Sequence, residues 1–174
     1  MGVPKSLEPL ADFIDREFLR PHDTDITGAM VVGLKEQGIP VALTLTILGA
    51  ETSLGDPELG GELISGGHYN FGCLKYSPTP SPWGALATGK VKVRGVDWFS
   101  FPDAATGMKA WGLYISQGPT WNPGYYLKTY PNWPDLVSVY YGSDVKDFHV
   151  YLRHVEQLYE KFTAGIRKAA GFGE

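Results

Sequence analysis

The chain has 174 residues, 43% hydrophobic and 13% aromatic, enough to close one full core and too apolar for a disordered tail. Its net charge of −4, with Lys and Arg scattered and no basic run, argues against a nucleic-acid partner. A single cysteine, Cys73, excludes an internal disulfide, so the fold must stand without covalent staples.

Met1-Gly2-Val3-Pro4 leads straight into an amphipathic pattern and not into an apolar signal-peptide core, so no signal peptide is expected. No run approaches the roughly 18 apolar residues of a membrane span, so no membrane partner is expected either. Ser6 is placed to cap a first helix to about Leu19, with Leu10, Phe13, Ile14 and Phe18 on one face and Pro21 closing it. A second helix is predicted from about Thr27, with Met30, Val31 and Leu34 inward and Gly38 as its stop.

From Val41 the chain carries no charge until Glu51, which marks a segment wrapped on all sides. Val41, Leu43, Leu45 and Ile47 alternate as a strand would, but Leu48, Gly49 and Ala50 break the alternation and Pro40 suits a helix start. The better reading is a buried helix of roughly 12 residues with Glu51 at its C-terminal end. There the negative pole of the helix dipole and apolar neighbours both favour a protonated carboxyl, which is how a general acid is made. The plainer reading of Glu51 is a solvated charge where the helix emerges.

Between Gly55 and Pro82 the composition turns to Gly, Pro, Ser and Tyr, and Tyr69, Phe71 and Tyr76 favour an ordered functional loop over a linker. Lys90 to Phe99 alternates around Gly95 as a small hairpin. Ala104, Met108, Trp111 and Ile115 then recur at helical spacing up to Gly118-Pro119. Asp135 to Tyr141 reads as a short helix. Val145, Phe148, Leu152, Val155, Tyr159, Phe162 and Ile166 repeat at three and four as a last structural helix. No repeat and no composition shift marks a second domain, so residues 1–174 read as one domain, mainly helical with one hairpin.

Four short motifs in order carry a resemblance. Ala50-Glu51-Thr52-Ser53-Leu54-Gly55, Tyr69-Asn70-Phe71-Gly72-Cys73-Leu74-Lys75, Phe99-Ser100-Phe101-Pro102-Asp103 and Tyr141-Gly142-Ser143-Asp144 together resemble glycoside hydrolase family 73, the lysozyme-like glucosaminidases that cut bacterial peptidoglycan. The resemblance implies a mainly α (α+β) lysozyme-like domain in which a small β-hairpin lobe flanks a glycan cleft. It implies a peptidoglycan glycan-strand hydrolase, of endo-β-N-acetylglucosaminidase or muramidase type, working as a monomer without metal or cofactor. Glu51 would be the general acid and Tyr141 would face the reaction centre. Tyr69, Asn70, Phe71, Tyr76, Trp98 and Tyr140 would contact sugar, since sugar rings offer apolar faces to aromatics.

The family generally adds a second acid from the β-lobe. Between Leu63 and Pro102 the only carboxylate is Asp97, which is either that second acid, acting through a water, or merely a hairpin residue. Without it the chemistry would run on one acid, as in lytic transglycosylases, and a non-catalytic glycan-binding module is a further alternative. Glu62 and Asp56 lie in the Gly-rich loop, where sequence does not place them. A cell-wall enzyme without a signal peptide fits a phage lysin, or a fragment of a longer exported protein.

Two rival chemistries are weaker. Cys73 with His22, His68, His149 or His154 would make a cysteine hydrolase, but a lone cysteine is more often a small buried hydrophobe. His149 and His154 are five apart and share no helix face for a metal, and His22-Asp23-Thr24-Asp25 lacks the rest of a calcium loop.

Overall fold

The computed structural model of the chain describes residues 5–19, 24–117, 136, 140 and 147–170. Among these, six α-helices and one two-stranded sheet form a mainly helical domain. The helices are α1 (Glu8–Ile14), α2 (Gly28–Glu36), α3 (Val41–Thr52), α4 (Glu62–Ser65), α5 (Ala104–Gln117) and α6 (Phe148–Ala169). The short helix expected over Asp135 to Tyr141, the Gly118-Pro119 stop, His22 and Pro21 lie outside the described residues, apart from Leu136 and Tyr140.

The helix centred on Val41 to Thr52 is the core of the molecule. Val41, Leu43, Leu45, Ile47 and Leu48 are all buried, so apolar side chains leave the helix in every direction and no strand alternation survives. Its buried threonines return their hydroxyls to backbone carbonyls, Thr46 to Ala42 at 2.7 Å and Thr52 to Phe71 at 2.9 Å, so their burial leaves no hydroxyl unpaired. Helix α6 packs along α3, with Leu158 and Phe162 over Gly49. Helix α2 starts where expected, with the Thr27 hydroxyl accepting from the Met30 N–H at 3.3 Å.

The first helix differs from its expected form. Ser6 sits in a 3₁₀ turn, Lys5–Leu7, and makes no cap; Leu7 occupies the cap position of α1. After Ile14 the backbone widens into a π-helix, Asp15–Leu19, which sets Phe18 and Leu19 into the core and lets the Asp15 carboxylate accept the Gly28 N–H at 2.6 Å.

Strands β1 (Gly89–Val93) and β2 (Val96–Ser100) pair antiparallel with Val93 opposite Val96 and Val91 opposite Trp98. The two-residue turn uses Arg94 and Gly95, both at positive φ (50° and 81°), the twist that suits a tight hairpin. Along its other edge β2 is held by the 74–76 segment, through Phe99 N–H to Leu74 O (3.1 Å) and Tyr76 N–H to Asp97 O (3.0 Å). These bonds tie the hairpin to the loop that passes beside Glu51.

Candidate active site

Glu51 is the last residue but one of α3. Beyond it the chain turns sharply through Ser53, Leu54 and Gly55, all at positive φ (50°, 59° and 80°). All five described non-glycine residues at positive φ, Ser53, Leu54, Tyr69, Cys73 and Arg94, lie in three segments around Glu51: the end of α3, the 69–73 loop and the hairpin tip. Left-handed backbone at such residues costs of order 1–3 kcal/mol each, and it tends to gather at functional sites.

Burial raises the Glu51 carboxyl above its ordinary pKa, and the end of the helix dipole acts in the same sense. Two donors oppose this without reversing it, the Tyr151 hydroxyl at 2.6 Å from Oε1 and the Cys73 thiol. Glu51 borders a cavity of about 310 Å³. From one side the cavity is lined by Leu59, Gly60, Gly61, Glu62 and Leu63, and from the hairpin by Val93, Arg94, Val96 and Trp98. Leu59 is 68% exposed and Val96 38%, so aliphatic side chains stand open at the mouth of a site with two carboxylates.

Strand alternation decides which hairpin residues reach this cavity. Val96 and Trp98 share one face of β2, and Asp97 points from the other. On that far face Asp97 forms an exposed ion pair with Lys90 at 2.6 Å, and this hydrogen bond holds its carboxyl below the usual range. Asp97 thus does not line the Glu51 cavity, and its geometry is that of a paired hairpin residue. The second carboxylate of the cavity is Glu62, at the start of α4. Asp56 serves the loop instead: it is buried, and its Oδ1 accepts the N–H groups of Glu58 (2.8 Å) and Leu59 (3.3 Å).

Of the six residues expected to contact sugar, only Trp98 lines the cavity. Asn70 is 1% exposed, and its side chain is spent inside the fold: Nδ2 donates to Leu74 O and Phe99 O, both at 2.9 Å, and Oδ1 accepts from Leu74 N–H at 2.8 Å. It clamps the loop to β2. Phe71 is a core residue, with Tyr69 edge-on to its ring at 6.4 Å. Tyr76 lies with Asp97 on the far side, against Phe99 and under Lys90. The Tyr140 hydroxyl donates to Gly72 O at 2.5 Å, and burial first, then the nearby Glu51 carboxylate, pushes its phenol well above the usual range. Tyr141 lies outside the described residues.

Cys73 lacks the surroundings that activate a thiol. Burial, then the neighbouring Glu51, pushes its thiol far up, whereas a reactive cysteine needs the thiolate favoured. No group of three or more His, Cys, Asp or Glu capable of holding a metal occurs among the described residues, and none of their helices is long and apolar enough to cross a membrane.

The repeat read from the sequence runs through Leu152, and Tyr151 was not legible as a site residue. It is three residues after Phe148 and four before Val155, on the inner face of α6, so its ring packs inward and its hydroxyl meets a carboxylate 100 positions away. Because its O–H favours the ionised carboxylate, Tyr151→Phe should raise the Glu51 pKa further. If protonated Glu51 is the active form, the alkaline limb of the pH–rate profile should then move to higher pH. A limb that stays in place or moves down would show that this bond does not tune Glu51.

Compared with protein-family models, with curated proteins and with solved structures, the chain matches none.

Proposed function

We propose that the chain cuts the glycan strand of bacterial peptidoglycan by hydrolysis, with Glu51 as the acid that protonates the glycosidic oxygen. The observation that carries this reading is a carboxyl held toward its protonated form by burial while it opens onto a 310 Å³ cavity. A proton donor at neutral pH is what cleavage through an oxocarbenium-like transition state requires. The indole of Trp98 and the exposed Leu59 and Val96 offer apolar surface to sugar faces. The resemblance in the four motifs points the same way.

Glu62 favours hydrolysis over the single-acid transglycosylase reaction, because a second carboxylate on the same cavity can direct a water or stabilise the developing cation. Glu62→Gln should therefore lower turnover by roughly 10²-fold, while Asp97→Asn, on the opposite face, should change it by no more than about twofold. Equal effects of the two substitutions on purified peptidoglycan would remove Glu62 from the mechanism.

Loss of turbidity of purified cell walls tests the activity itself, and an inert chain that still binds the walls would leave a non-catalytic module. Mass spectrometry of the products then separates the chemistries: reducing ends mean hydrolysis, and anhydro-sugar ends mean transglycosylation.

A further inference from the structure

Arg94 occupies a costly position. It is the first residue of a two-residue hairpin turn with φ of 50°, where Asn or Gly would sit with little or no strain. Its side chain lines the Glu51 cavity, where it is the only cation among the described lining residues. Among the described residues it has neither an ion-pair partner nor a side-chain hydrogen bond, whereas Lys90 on the same hairpin is paired with Asp97. A guanidinium on a left-handed turn, with no partner among the described residues and beside a cavity that already holds two carboxylates, contributes nothing evident to the fold. It is explained by an anionic group on the ligand.

We propose that Arg94 is the specificity residue of the Glu51 cavity, the one that recognises a carboxylate on the glycan bound there. This rests on reading the cavity as a glycan site. The planar fork of arginine matches a carboxylate with two parallel N–H···O bonds. Glu62, on the 59–63 segment, repels the same group and so orients the chain of sugars, its carboxylate toward the hairpin. An uncharged glycan of N-acetylglucosamine alone would leave Arg94 without a partner.

The test is titration of the full chain carrying Glu51→Gln, which keeps its ligand intact. Three ligands are compared: a peptide-free tetrasaccharide of alternating N-acetylglucosamine and N-acetylmuramic acid, the same tetrasaccharide with its carboxylates amidated, and the form bearing stem peptides. At low salt the free carboxylate form should bind about tenfold tighter than the amidated one, the scale of a charge-assisted pair at an exposed site. Adding Arg94→Asn should erase that preference. Asn tolerates the left-handed turn, so the melting temperature should not fall, which separates lost recognition from lost fold. Tighter binding of the peptide-bearing form than of the amidated one would assign the recognised carboxylate to the stem, and preference for the peptide-free form alone would assign it to the lactyl group. Equal binding of all three forms, or a preference that survives Arg94→Asn, would overturn the proposal and leave the glycan site standing. Binding of none of the three would overturn both.

Discussion

Glu51→Gln should lower turnover on purified peptidoglycan by roughly 10²-fold to 10⁴-fold while the fold is kept. The amide has the shape of the carboxyl and can still accept the Tyr151 hydroxyl, but it has no proton to give at this driving force. Stability should respond in a defined direction. The folded pKa of Glu51 lies above that of the unfolded chain, so its protonation favours the fold below the unfolded value, and that contribution is lost as pH rises through the folded value. Above it the enclosed, ionised carboxylate is a burden that Gln does not carry. The melting temperature of Glu51→Gln well above the folded pKa should therefore match or exceed that of the wild type. Wild-type turnover in this variant would remove Glu51 from the chemistry, and a lower melting temperature in that pH range would show that burial is not what raises its pKa.

Asn70→Ala should be the most destabilising of the substitutions considered. The side chain makes three bonds to backbone groups in a buried site, and their loss strands the Leu74 N–H and the Phe99 carbonyl, while the Leu74 carbonyl keeps the Phe99 N–H. Each stranded backbone group costs about 1–3 kcal/mol, so a total of roughly 2–4 kcal/mol is expected after partial relaxation. In a chain of this size that is a fall in melting temperature on the order of 10 °C. Because the loop and β2 come apart at this clamp, any loss of activity should follow the loss of folded protein. Normal stability with a raised KM would instead return Asn70 to the sugar site.

Helices α3 and α6 were legible from sequence because burial leaves a local record, whereas α4 lay unseen in a stretch read as loop. Val41 to Glu51 is apolar on every side, Val145 to Ile166 repeats at three and four, and each pattern names its element without reference to the rest of the chain. Glu51 was legible for the same reason, being the first charge after a run that had to be enclosed. The hairpin was legible too, although Asp97 and Trp98, neighbours on one strand and so on opposite faces, were both expected at the site. Which face meets Glu51 was not legible, because that depends on the docking of β2 against the 74–76 segment, a contact between residues more than 20 apart. Glu62 was hidden in a Gly-rich stretch with no period, where only packing sets direction. Asn70 sits in a motif that suggests a ligand contact, and its motif could not reveal that backbone partners as distant as Phe99 already use its amide. Tyr151 reaches Glu51 across 100 residues because α6 packs along α3, and that meeting exists only once the two helices are side by side.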